Sequence, residues 1–268
     1  MSTETEPPVL WDVHDRIAVL RFNRPQQRNA MSADVQNAFA EALSELASRP
    51  GLAALILTGT GSAFSAGGDM ELMRSLPALG TDKVRDRLAA IYPPFISLLD
   101  FPTPTIAAVN GPAVGGGLGI ALLCDIRIAS PSASFSAPFG MIGLPPGMGL
   151  TFLLPYVLGT GSAFELFLTS RPWDAETSER RGLVSGVVKD SQLLEEATRL
   201  ARNAANSSLP VIDEILRRLR DPIRRGVHDA LLTEVTAQAD AVGHPDYLEG
   251  LNAISEKRRP SFRSRWTA

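Results

Sequence analysis

Two glycine-rich segments hold the residues best suited to do chemistry: FSAGGD (Phe64–Asp69) and NGPAVGGG (Asn110–Gly117). Each follows a short apolar run and opens an expected helix. A helix start presents backbone N–H groups that have no partner inside the helix, and glycine lets another group approach them closely. Two such loops side by side would aim a pair of amides at one oxygen, which stabilises negative charge developing on a carbonyl. The same glycines would serve equally well as tight turns and close helix contacts. Asp69 ends the first loop, and the N-cap of a short helix suits it better than the role of catalytic carboxylate.

Other chemistries lack their residues. No G-x-x-x-x-G-K-[ST] occurs, so the triple glycine at 115–117 is no phosphate loop, and no G-x-G-x-x-G follows a strand. A G-x-S-x-G elbow and an H-E-x-x-H helix are also missing. The three histidines, His14, His228 and His244, lie far apart, and the single cysteine, Cys124, sits in an apolar run as a small hydrophobe would. No disulfide framework or multi-cysteine metal site is expected. A net charge of −3 gives no electrostatic footprint for nucleic acid or an anionic membrane.

The elements that must position the loops are legible in the hydrophobic pattern. Strands are expected at Val9–Val13 and Ile17–Phe22 with His14-Asp15 as the turn, then a helix from an Ser32 cap to about Ser48. Ala54–Thr58 reads as a buried strand, Thr81–Leu99 as a helix interrupted at Pro93-Pro94, and Thr105–Val109 as another strand. A helix around Leu118–Leu123 and strands at Asp125–Ala129 and Ser134–Ser136 complete an α/β core. Two uncharged stretches, Phe101–Cys124 and Ile128–Phe164, are interrupted by prolines and glycines and cannot run as spanning helices. They read as the buried, loop-rich heart of a soluble protein. With no secretory signal visible in MSTETEPPVL, a cytoplasmic location is expected. From Ser191 onward only helices are expected: Leu193–Asn206, Leu209–Arg218, Val227–Ala241 and Tyr247–Arg259. The division is thus 1–190 for the core and 191–268 for a helical region.

At this point six colinear stretches resemble the enoyl-CoA hydratase/isomerase (crotonase) superfamily. They are RFNRPQQRNAMS, LILTGTGSAFSAGGDM, PTPTIAAVNGPAVGGGLGIALLCDIRIAS, FSAPFGMIGLPPGMG, RRGLVSGVV and EGLNAISEKRRPSF. The resemblance implies a spiral of ββα units, a C-terminal helical region for a homotrimer or dimer of trimers, and an acyl-CoA thioester as the bound partner. It implies no separately bound cofactor, coenzyme A being part of the substrate. The oxyanion donors carried over by position are the N–H groups of Gly68 and Gly116. Ala66, Asp69, Met70, Glu71, Gly119, Phe139 and Met141 fall around the implied substrate pocket. Arg28, with the tail Lys257–Phe262, falls where relatives touch the nucleotide of coenzyme A. Arg28 serves equally well as a solvated surface charge.

The sequence also departs from this family. Its hydratases use two glutamates, one three residues past the oxyanion glycine and one twenty residues later. Here those positions hold Gly119 and Phe139, neither of which transfers a proton. Efficient hydration is therefore not expected. Tyr92, Asp86 and Glu71 are candidates for a displaced acid or base, and decarboxylation would make an enolate without one. The alternatives are a catalytically silent acyl-CoA-binding protein and an oligomeric scaffold. Restoring glutamate at both 119 and 139 is expected to return some hydration.

Overall fold

The computed structural model describes residues 6–262. Its elements run β1 (Val9–His14), β2 (Ile17–Phe22), α1 (Ala33–Ala47), β3 (Ala54–Gly59), α2 (Met70–Ser75), α3 (Thr81–Ile91), α4 (Pro93–Ile96) and β4 (Thr105–Val109). They continue with β5 (Ala113–Val114), α5 (Gly116–Leu123), β6 (Ile126–Ala129), β7 (Ser134–Ser136), α6 (Leu150–Leu158), α7 (Thr160–Thr169), β8 (Trp173–Asp174) and α8 (Ala175–Arg180). Three helices end the chain: α9 (Leu193–Ala205), α10 (Leu209–Val242) and α11 (Pro245–Ser255).

Strand alternation decides the layering. In a pleated strand successive side chains face opposite ways. Accordingly Leu20, Leu55, Leu57, Ala107 and Val109 point into the larger core, with α1. Ile17, Ala54, Ile56, Ile106 and Ala108 point the other way, onto Leu193, Ala197 and Ala201 of α9. Both faces are covered, which is why β3 and β4 read as continuous apolar runs. The main sheet has the order β1-β2-β3-β4-β6, with β1 antiparallel to β2 and the remaining pairs parallel. A smaller sheet, β5-β7-β8, lies beside it.

Several expectations need correction. The first turn is Asp15-Arg16, one residue later than expected. Both residues have positive φ (48° and 66°), the backbone that a two-residue hairpin requires. Within the stretch expected to be loop-rich, 128–164, lie α6 and the start of α7, and α8 follows β8 before residue 191. Pro155 sits within α6, whose Leu150, Leu153 and Leu154 are buried. Likewise α10 is one helix of 34 residues rather than two, despite Pro222. Arg220, 4% exposed, holds that segment to the sheet by an ion pair with Asp125 and by donating to the carbonyls of Phe101 and Thr103. Val227, fully buried about two turns later, anchors the other side of the proline. Packing thus outweighs the one hydrogen bond that proline removes. The ends of the two regions, 1–5 and 263–268, lie outside the described residues.

Candidate functional site

The two glycine loops meet. Ser65 bridges Ala113 in parallel register, the Phe64 and Ser65 N–H groups both donate to Pro112 O, and Val114 N–H donates to Ser65 O. Gly67 has φ +78°, and a Cβ there would overlap Val114 O and lie 3.0 Å from Gly116 N. A Cβ on Gly117 would overlap Ser65 O. Only glycine permits this approach, so the glycines bring the loops together as well as turning them. A third segment completes the join, since Met31 N–H donates to Gly67 O and Ala66 N–H donates to Arg28 O, each at 2.8 Å.

At that contact the N–H groups of Gly68 and Gly116 donate to no other group among the described residues. Gly116 is the first residue of α5, two residues earlier than expected, and its N–H belongs to the unpaired set of a helix start. Both residues line a cavity of about 160 Å³.

The expected site residues divide into two groups. Ala66, Gly68, Asp69, Met70, Tyr92, Gly116 and Phe139 line the cavity together. Arg28, Glu71, Asp86 and Met141 do not line it and are exposed. Gly119 is buried behind it. Asp69 caps α2, its Oδ1 accepting from Leu72 N–H at 2.7 Å. Tyr92 donates from its hydroxyl to Gln238 Oε1 at 2.6 Å, and Gln238 Nε2 donates to Pro145 O at 3.0 Å. Burial, reinforced by the charge of Glu234, holds the Tyr92 phenol well above its ordinary range.

Around Gly119 and Phe139 the structure is filled by carbon and sulfur. A Cβ on Gly119 would overlap Cγ of Met148 and lie 2.9 Å from its Cβ. Met148 is fully buried and holds a left-handed backbone (φ 66°), unusual for a side chain without a local polar bond. The Phe139 ring lies 3.6 Å from where a Gly115 Cβ would be, next to Gly116 in the chain. A side chain at 119 has no room while Met148 stays where it is.

Sequence reasoning missed Met148, Gln238 and Glu234. Gln238 and Glu234 sit on α10, in the region expected only to join copies of the chain. Glu234, 3% exposed, accepts from Gly149 N–H, Thr151 N–H and the Thr151 hydroxyl at 2.6–2.8 Å, and so holds the start of α6. Their signal was the rarity of buried polar side chains on an apolar helix face. It became legible only once α10 was known to be continuous.

Known proteins resemble the chain over most of its length. The family model described as enoyl-CoA hydratase/isomerase matches residues 12–265. A probable enoyl-CoA hydratase, echA8, of Mycobacterium bovis is 35% identical over 99% of this chain and 100% of its own length. An enoyl-CoA hydratase/isomerase of Pseudoalteromonas atlantica superposes with a TM-score of 0.81 at 29% identity, covering 96% of this chain and 100% of that one. A monofunctional enoyl CoA isomerase of M. smegmatis is 36% identical with a TM-score of 0.68, over 83% of this chain and 98% of that one. With the α/β core, the two joined glycine loops and a family match over nearly its whole length, the chain belongs to the enoyl-CoA hydratase/isomerase family.

Proposed function

We propose that the protein binds an acyl-CoA thioester and stabilises its enolate through the N–H groups of Gly68 and Gly116. The observation that carries this reading is that both residues line one apolar cavity where their loops join, with N–H groups that have no partner among the described residues. There a thioester oxygen would gain charge as the enolate forms, and fixed amide dipoles need no reorganisation to receive it. Coenzyme A enters as part of the substrate, its nucleotide near Arg28 and the tail 257–262. The reading extends to a homotrimer or dimer of trimers in the cytoplasm. In support of assembly, large apolar side chains stand exposed on the helices, including Phe164 and Leu168 on α7 and Leu219 and Leu232 on α10.

Efficient hydration is not part of the proposal. Concerted water addition lacks both carboxylates, each of a kind worth about 10²–10⁴-fold. One observation favours a second reading, a catalytically silent acyl-CoA-binding protein. The ionisable side chains lining the cavity, Asp69 and Tyr92, are both engaged, in a helix cap and with Gln238.

Calorimetric binding of crotonyl-CoA and of free coenzyme A, followed by mass spectrometry of the products, tests the proposal. It predicts that the thioester binds more tightly than coenzyme A and is hydrated at least about 10⁴-fold more slowly than by a relative with both glutamates. Equal affinity for the two, or hydration at the relative's rate, overturns it. Tight binding of crotonyl-CoA and other acyl-CoA thioesters without any product selects the silent binder.

A further inference from the structure

The cavity walls carry information about the acyl group, on the reading that the thioester oxygen lies at Gly68 and Gly116. Four of the chain's six methionines, Met31, Met70, Met73 and Met148, line the cavity. Leu88 and Ile91 of α3 add branched carbon. Among the described residues, no lysine, arginine or histidine lines it, and Asp69 is the one carboxylate. The remaining polar side chains, Tyr92 and Gln238, are bonded to each other, and Gln238 is also bonded to Pro145 O. An anionic acyl terminus would thus be buried with no cation and with the Asp69 charge on the same cavity, an arrangement strongly disfavoured.

Volume narrows the class further. The cavity, about 160 Å³, is close to the roughly 150 Å³ apolar cavity that stays dry and takes up benzene. Methionine side chains are unbranched, mobile and polarisable, so walls built from them fit both a straight chain and a ring.

We propose that the acyl group is neutral and apolar with a bulk of about six carbons, of the hexanoyl or phenylacetyl class, and that dicarboxylic acyl groups are excluded. The malonyl-type substrate of a decarboxylation is thereby disfavoured.

The test is calorimetric affinity of the full chain for free coenzyme A and for its acetyl, hexanoyl, phenylacetyl, decanoyl and succinyl thioesters. Each methylene moved from water into such a cavity is worth up to about fourfold in affinity. Hexanoyl- and phenylacetyl-CoA are expected to bind at least about tenfold more tightly than acetyl- or succinyl-CoA, and decanoyl-CoA no more tightly than hexanoyl-CoA. In Met73→Lys, which sets a cation on the half-buried wall, succinyl-CoA should gain on hexanoyl-CoA. If acetyl- or succinyl-CoA matches hexanoyl-CoA while all exceed free coenzyme A, this inference falls and the oxyanion reading stands. A continued gain to decanoyl, or an unchanged preference in folded Met73→Lys, also overturns it. If hexanoyl-CoA binds no better than coenzyme A itself, the reading of the loops fails with it.

Discussion

Gly119→Glu should damage the protein rather than make it a hydratase, and the size of the damage follows from Met148. The new Cβ would overlap Met148 Cγ and lie 2.9 Å from its Cβ and 3.5 Å from its carbonyl oxygen. Overpacking of this sort costs about 1–3 kcal/mol, and a carboxylate left there without a partner adds more. A loss of about 3 kcal/mol lowers the melting temperature by roughly 6–12 °C in a chain of this size. Met148→Gly alone removes a fully buried side chain, at about 2–5 kcal/mol, offset by about 1 kcal/mol because glycine accepts the φ of 66° without strain. In the double variant the glutamate occupies the vacated space, so the combined loss should fall short of the sum by at least about 1 kcal/mol. Urea denaturation of the four proteins gives that coupling directly. Additive losses, or a Gly119→Glu variant of undiminished stability, would refute the claim that Met148 fills the carboxylate's place. Hydration of crotonyl-CoA is expected only when Phe139→Glu is joined to this pair.

Two further outcomes follow from the polar groups in the cavity wall. Tyr92→Phe leaves Gln238 Oε1 without its buried donor and should cost about 1–3 kcal/mol. Because the folded phenol titrates above its ordinary value of 10.0, its contribution is complete below that pH and declines as pH rises. Between about pH 10 and about pH 12 the variant should lose stability less steeply than the parent, by up to about 1.4 kcal/mol per pH unit. Urea midpoints with identical pH slopes would contradict this. Asp69→Asn should keep the cap of α2 and change stability by less than about 0.5 kcal/mol, since asparagine caps as well as aspartate. A hundredfold fall in kcat with acyl-CoA affinity intact would show instead that the carboxylate takes part in chemistry.

How much of this was legible in the sequence varied with the kind of interaction. The strands of the main sheet were readable because both faces are buried and their runs are unbroken apolar. The join of the two glycine loops was readable in outline, as each loop announces a helix start. What the sequence could not show was which side chains reach the join from afar. Met148 meets Gly119 from 29 positions along the chain, and Gln238 meets Tyr92 from 146 positions away. Local rule disfavours Pro155 and Pro222 inside helices, but burial of Leu153 and Leu154 on one helix and the anchoring of Arg220 on the other override the loss. Glu71 and Met141, placed by sequence around the pocket, have exposed side chains outside the cavity lining, and Arg28, expected near the coenzyme A nucleotide rather than in the pocket, is exposed as well.

The central claim is that Gly68 and Gly116 hold a charged thioester oxygen. It is tested most directly by titrating 3-oxohexanoyl-CoA bound to the protein, followed by the ultraviolet band of its enolate. Each donor of this type is worth about 3 kcal/mol, or about two pH units, so with both engaged the bound enolate should form at a pH about four units lower than in free solution. Gly116→Pro removes one of the two N–H groups at the first position of α5, where a helix accommodates proline once the Met31 side chain, 2.5 Å from the new Cβ, gives way, and should return about half of that difference. A bound thioester that titrates as it does in water, or a folded Gly116→Pro variant that titrates like the parent, would contradict the account.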